Sequence, residues 1–201
     1  MWLNYKQYEH ANLIDEIMLA LQDDLKNYIA SNQLIHFEAK EKERAKLGMR
    51  KHQAKDWYIV PIIRAREITE WAASLPKTTA LAVDLPGIVN ITLNCFAPQA
   101  GAPWHSDYDY DMRNDLTEDA KCFAILLGVK IPSADIELGG FQLGEEKQIL
   151  TTNCKLAFDG GIPHMSWNNT DSWRYSANID IEQRYWDVSA VNANTSLDSN
   201  S

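Results

Sequence analysis

Among the residues of this chain able to do chemistry, two histidines and an aspartate have a spacing that matters. His105 and Asp107 stand one residue apart in Trp104-His105-Ser106-Asp107. In an extended strand the side chains at i and i+2 leave by the same face, so both can turn onto one small object. A divalent metal suits that grip. His164 would complete a two-histidine, one-carboxylate set, the arrangement that holds non-haem Fe(II) on one face and leaves the opposite positions open. Ten residues later comes Arg174, a permanent cation whose planar fork matches a carboxylate bidentately. A lone H-x-D triplet is weak, and the combination is what carries weight. His105 and Asp107 follow Pro98, Gly101 and Pro103, expected as a turn. His164 follows the loop Asp159-Gly160-Gly161-Ile162-Pro163, and Arg174 opens a strand.

Asp107, Asp109, Asp111 and Asp115 all lie after His105, and only Asp107 has the i+2 relation. The other acids, with Tyr108, Tyr110 and Arg113, are expected to form a solvated loop beside the metal. Substrate recognition, with Arg113 on a substrate carboxylate, is the alternative. His10, His36 and His52 have no such companions and are expected at the surface.

The elements that must position these residues are mostly short strands. Runs at 78–84, 88–96, 121–132, 136–143, 147–151, 154–158 and 174–182 are punctuated by Gly, Pro and Asp, which points to a sandwich or barrel. In 88–96, Ile91, Leu93 and Cys95 share one face and Asn90, Thr92 and Asn94 the other. In 174–182, Arg174, Ser176, Asn178 and Asp180 oppose Tyr175, Ala177, Ile179 and Ile181. A polar face carrying an arginine can line a wet, ligand-holding interior. Ahead of the strands, Leu13, Ile14, Ile17, Met18, Leu21, Leu25, Tyr28 and Ile29 paint one apolar stripe on a helix over 11–30. A second short helix is expected over 64–75, with Ile68, Trp71 and Leu75 inward and Pro76 beyond its end. Between the two, residues 38–56 are charged with both signs, expected as a solvated helix or loop, with a substrate-facing lid as the alternative.

Length and composition fit one domain: 201 residues, 45% apolar, 10% aromatic. The net charge of −9 disfavours a phosphate-backbone partner. Cys95, Cys122 and Cys154 form no C-x-x-C pair and are expected as buried thiols in a reducing compartment. No stretch nears the roughly 20 apolar residues of a membrane helix, and the first residues lack the apolar region of a signal peptide. A cytoplasmic protein is expected, with the N-x-[ST] matches at Asn90, Asn168 and Asn194 as chance matches.

The order H-x-D, then Phe158-Asp159-Gly160-Gly161-Ile162-Pro163-His164-Met165-Ser166-Trp167, then Arg174-Tyr175-Ser176-Ala177-Asn178-Ile179-Asp180 resembles the aspartyl/asparaginyl β-hydroxylase family of Fe(II)- and 2-oxoglutarate-dependent oxygenases. That family includes bacterial hydroxylases of free amino acids. The resemblance covers roughly 88–187. It implies a mainly β fold, a double-stranded β-helix (jelly-roll, cupin-like) barrel with flanking N-terminal helices. Residues 1–76 would form a helical support, 77–187 the catalytic core and 188–201 a disordered tail. It further implies that His105, Asp107 and His164 bind Fe(II), that Arg174 binds the distal carboxylate of 2-oxoglutarate, and that Asn94 and Ser176 assist on the cosubstrate. O2 would be the second cosubstrate, and an amino acid or a peptidyl Asp/Asn residue the substrate. Two departures stand out. Peptidyl hydroxylases of the family carry Gly where this chain has Asp107. The family also tends to place Arg and His where this chain has Ala124 and Leu126. A carboxylate at 107 fills the position a halide would need, so hydroxylation is expected over halogenation. The competing readings are a cupin-like barrel that binds a metal or small acid without turnover, and a nucleic-acid-modifying dioxygenase, which net acidity disfavours.

Overall fold

The computed structural model describes residues 1–30, 57–107 and 121–187, with only the backbone of 28–30. The charged segment 38–56, the acidic loop with Arg113, His36 and His52, the side chains of Tyr28 and Ile29 and the tail 188–201 lie outside the described residues.

Among the described residues, eleven strands form two antiparallel sheets. They are β1 (Trp2–Leu3), β2 (Trp57–Arg64), β3 (Glu67–Ile68), β4 (Ile88–Phe96), β5 (Ala100–His105), β6 (Cys122–Lys130), β7 (Gly139–Leu143), β8 (Glu146–Ile149), β9 (Lys155–Asp159), β10 (His164–Asn168) and β11 (Arg174–Glu182). The large sheet has the order β1-β9-β6-β11-β4-β2-β3 and the small sheet β5-β10-β7-β8. From β4 onward the chain crosses between sheets at almost every connection, so that strands distant in sequence become neighbours. That winding is the expected double-stranded β-helix, a jelly roll whose two sheets face each other. The stretch ahead of residue 77 supplies β1 at one end of the large sheet and β2 with β3 at the other.

The two faces of the large sheet have different fates because the strand sequences alternate. The apolar side chains Ile91, Leu93, Cys95, Tyr175, Ala177 and Ile179 are buried in one cluster with Ile14, Ile17, Met18, Leu21 and Leu25. These last belong to α1 (Ala11–Ala30), whose stripe covers the outer face. Full burial of each such side chain contributes about 1.5–3 kcal/mol, enough to fix which face turns outward. The polar set of β4 and β11 therefore faces the small sheet. Register confirms the juxtaposition: Ser176 lies opposite Asn94, Asn178 opposite Thr92 and Asp180 opposite Asn90. No helix among the described residues is long and apolar enough to cross a membrane.

Three local expectations are corrected. Residues 78–84 are not a strand: α2 (Pro76–Ala82) begins with proline at its first turn, where the missing N–H costs nothing. The buried Asp24 carboxylate of α1 caps it, accepting from Thr78 N and Thr78 Oγ1 at 2.8 and 2.9 Å. Tertiary capping thus overrides the β-branched composition. The helix expected over 64–75 is instead the end of β2, a hairpin turn, β3 and a 3-10 helix (Glu70–Ser74). Leu75 is buried as expected, but Ile68 is exposed. The turn residues Ala65 and Arg66 have φ of 48° and 68°, a left-handed pair that neither residue type announces. It is held from β4, where Asn90 Oδ1 accepts from Ala65 N at 3.0 Å. The turn expected from Pro98, Gly101 and Pro103 is mostly β5, whose glycine lets Ser166 of β10 pass close: a Cβ there would meet Ser166 O at 2.6 Å. The loop leading to His164 ends where expected, at the start of β10.

Candidate metal centre

His105 is the last residue of β5, Asp107 follows two residues on, and His164 opens β10 beside it. The β5–β10 pairing places His164 across from His105. Asp107 is brought in by a backbone bond, its N–H donating to Gly160 O at 2.9 Å. The loop before β10 thus holds Asp107 in place and delivers His164. His105 and His164 ring nitrogens and an Asp107 oxygen lie within 4.8 Å of one another. His164 Nε2 is 3.5 Å and His105 Nε2 3.8 Å from Asp107 Oδ1.

Both rings are oriented from behind by carbonyls, which can only accept. His105 Nδ1 donates to Pro103 O at 2.7 Å and His164 Nδ1 to Ile162 O at 2.9 Å. The protons are therefore on Nδ1, and the bare Nε2 atoms face Asp107, as metal-ligating histidines are oriented. His164 is buried against Phe141 and Phe158. Burial works against its charged form, but the Asp107 carboxylate 3.5 Å from Nε2, with Ile162 O, wins and raises its pKa above the ordinary imidazole value.

Gly160 shapes the carboxylate's seat. A Cβ at that position would stand 2.7 Å from Asp107 Oδ2 and 3.3 Å from its Cβ. Gly160→Ala displaces a side chain rather than backbone, so thermal melts of the metal-free protein should change by less than about 1 kcal/mol. Fe(II) affinity in an anaerobic titration should fall about 10–100-fold, the scale of losing a ligand's support.

Further inside, Arg174 is 1% exposed and reaches from β11 to the small sheet. Its Nη1 donates to Gly140 O at 3.0 Å and to Trp167 O at 2.5 Å. Burial pushes the guanidinium down to about 9, still charged at neutral pH. It lies 4.9 Å over the Phe96 ring. Phe96 in turn stacks on Trp57 at 5.7 Å and 7°. Trp57 approaches His105 at 5.9 Å and donates Nε1–H to Asn94 Oδ1 at 3.1 Å. That acceptor bond leaves the Asn94 NH2 to donate elsewhere.

Eight buried side-chain polar atoms have no hydrogen-bond partner among the described residues, and six of them belong to this interior. Asp107 Oδ2 and His164 Nε2 are acceptors at the metal end; Arg174 Nε and Nη2 and Ser176 Oγ can donate at the inner end; Asn178 Oδ1 belongs to the same face of β11. Buried polar groups are almost always paired, so such a concentration marks a ligand site. Its polarity is bipolar: lone pairs that want a cation at one end, N–H and O–H groups that want an anion at the other.

The site residues read from sequence, His105, Asp107, His164, Arg174, Ser176 and Asn94, thus share one interior. Three participants were missed. Trp57 lies on β2, a strand that Pro61 disguises. Gly160 acts through the space it leaves, which sequence does not print. Asp180 was visible on the polar face, but its surroundings were not. Burial raises its pKa to about 7, with the Asp107 charge adding and the Asn90 hydrogen bond opposing.

The profile of the family described as aspartyl/asparaginyl β-hydroxylase matches residues 16–184. No curated protein matches the chain. Among solved structures, a Pseudomonas putida prolyl-4-hydroxylase is 13% identical, with 89% of this chain and 90% of that chain covered and a TM-score of 0.46. A Burkholderia pseudomallei oxidoreductase of the 2OG-Fe(II) oxygenase family is 11% identical over 74% and 80%, with a TM-score of 0.43. The viral collagen prolyl hydroxylase of Paramecium Bursaria Chlorella virus-1, solved as a 2OG complex, is 13% identical over 63% and 79%, with a TM-score of 0.42.

Proposed function

We propose that this chain, which belongs to the aspartyl/asparaginyl β-hydroxylase family and is a hydroxylase of the Fe(II)- and 2-oxoglutarate-dependent kind, hydroxylates an unactivated C–H of an amino-acid or aspartyl/asparaginyl-type substrate. His105, Asp107 and His164 hold the iron, and Arg174, Ser176 and Asn94 hold the cosubstrate. The observation that carries the assignment is the bipolar set of unpartnered buried atoms. The acceptors suit a first-row divalent metal that takes nitrogen and oxygen ligands; the donors suit the far carboxylate of a small diacid.

When bound, iron and 2-oxoglutarate supply the oxidation, in which O2 and 2-oxoglutarate become succinate, CO2 and a hydroxyl group on the substrate carbon. The protein supplies placement. The carbonyls of Pro103 and Ile162 keep both imidazole Nε2 lone pairs aimed at one point, so no ligand has to reorient on binding. Asp107 balances part of the metal's charge. Arg174, pinned by Gly140 O and Trp167 O, keeps Nε and Nη2 toward the interior. Phe141, Phe158 and Leu143 wall the His164 side and exclude water from the reacting centre.

The test is anaerobic addition of Fe(II) and 2-oxoglutarate to the purified protein, followed by visible spectroscopy. The expected result is the weak charge-transfer band of an iron-bound 2-oxo acid, absent with either component alone. Folded protein that gives no band would return the chain to a barrel that binds without turnover.

A further inference from the structure

Among the described residues, the large-sheet wall of the site carries a carboxylate that no cation pairs. Asp180 lies on the inner face of β11, between Asn90 of β4 and Ala124 of β6. Its Oδ2 accepts from Asn90 Nδ2 at 2.9 Å, and no ion pair holds it among the described residues. The nearby arginines are committed elsewhere: Arg66 and Arg184 both pair with Glu182, two residues further along β11. Asp180 is half-buried, and its two same-face neighbours across the sheet, Asn90 and Ala124, are buried. Across the sheet from Ala124 lies Phe158 of β9, whose ring packs edge-on against His164 at 5.1 Å.

Asp180 is also held to one orientation. Ala65 N–H occupies Asn90 Oδ1, which fixes the amide with its Nδ2 toward Asp180. One residue pair before Asp180 on the same face, Asn178 presents a buried Oδ1 without a partner. Facing the interior beside the metal ligands is therefore a wall of acceptors next to the small side chain of Ala124. A carboxylate paired to no cation, and an amide oxygen with no donor, among the described residues suit a compact group that carries positive charge and several N–H bonds.

From this arrangement, and resting on the iron-site reading above, we propose that Asp180, assisted by Asn178, binds a protonated amine of the substrate, so that the enzyme acts on a small amine-bearing molecule such as a free amino acid. A peptidyl Asp or Asn residue offers only amide N–H groups to that wall and leaves the carboxylate unanswered.

The experiment follows succinate release from Fe(II) and 2-oxoglutarate with the twenty common L-amino acids, their Nα-acetyl derivatives and an Asp/Asn-containing peptide. It uses wild type, Asp180→Asn and Asp180→Glu. Asn at 180 still accepts from Asn90 but lacks the charge. At least one free amino acid should stimulate release in wild type, with its Nα-acetyl form about 100-fold poorer in kcat/KM, the scale of an unanswered buried charge. Asp180→Asn should lose a similar factor for the free amine and cease to discriminate, while its anaerobic chelate band stays as in wild type. Asp180→Glu should keep the preference for the free amine. The proposal is overturned if acetylated compounds or the peptide serve as well as free amines, or if Asp180→Asn keeps its discrimination. Loss of the band in Asp180→Asn also overturns it, by placing the residue in the metal cradle. A wild-type band with no stimulation by any amine overturns this proposal alone, whereas no wild-type band overturns the iron-site reading beneath it.

Discussion

Replacing His164 by alanine is expected to remove Fe(II)-dependent turnover of 2-oxoglutarate almost completely, by roughly 1000-fold or more. Loss of an outer-sphere partner costs about 10–100-fold, and here one of the three groups proposed to hold the metal is lost. Asp107 and His105 remain, but two ligands without the third no longer converge on a closed face. Stability complicates a single variant, because His164 fills space against Phe141 and Phe158. His164→Leu restores the volume without the nitrogen, so its melting temperature should lie above that of His164→Ala while its activity stays as low. Wild type should gain stability on adding Fe(II) anaerobically, and neither variant should. Acid supplies an independent check. The metal needs the bare Nε2, and Asp107 raises the pKa of His164 above the ordinary value. Protons therefore compete for the site at a higher pH than for a free imidazole, and Fe(II) affinity falls as the pH is lowered through that raised value. For the metal-free protein the sign is opposite. The charged pair of His164 and Asp107 stabilises the fold fully below the unfolded histidine pKa, and that contribution is lost as pH rises through the folded one. A metal-free protein whose stability rose with pH across that window would contradict the arrangement.

What could be seen in the sequence was whatever depends on alternation and on residue type. The two faces of β4 and β11 were legible because period-two patterning is set by burial, and the burial is complete on the outer side. His105, Asp107, His164 and Arg174 stood out as candidates because few other chemistries want those types in that order, and the fold brings them to one interior. What failed was decided by partners far away in the chain. The segment from Pro76 becomes helical because Asp24 caps it from another helix. The β2–β3 hairpin exists because Asn90 receives Ala65 N–H, a bond no local pattern at 64–68 announces. β5 looks like a turn in sequence since Gly and Pro usually break strands, yet Gly101 is there to let β10 approach. Asp180 shows the same limit at the site: its type and face were readable, but the absence of a cation beside it among the described residues is a property of β4, β6 and Glu182 together.

Arg174→Met should separate function from stability in the opposite direction to the histidine variants. A guanidinium that is 1% exposed, with Nε and Nη2 unpartnered, is an expensive group to keep in a fold for structural reasons. Its two bonds, to Gly140 O and Trp167 O, satisfy one nitrogen only. A carboxylate arriving between Nε and Nη2 would pair the charge and both free N–H groups at once, so ligand binding recovers what folding left unsatisfied. For wild type this predicts a clear thermal shift with 2-oxoglutarate and metal: at about 100 times Kd, stabilisation is about 2.7 kcal/mol. For a chain of this size that is a rise of roughly 5–10 °C in Tm. Methionine keeps a long flexible side chain over Phe96 and brings no buried charge. Arg174→Met should therefore melt within about 1 kcal/mol of ligand-free wild type, bind Fe(II) normally through His105, Asp107 and His164, and show no shift with 2-oxoglutarate. In turnover it should need at least about 100-fold more 2-oxoglutarate, as expected when one member of a buried charge pair is removed. If the variant instead unfolded several degrees below wild type while responding to 2-oxoglutarate as wild type does, Arg174 would be a structural clamp between the sheets. The cosubstrate's far carboxylate would then have to be held by a different group.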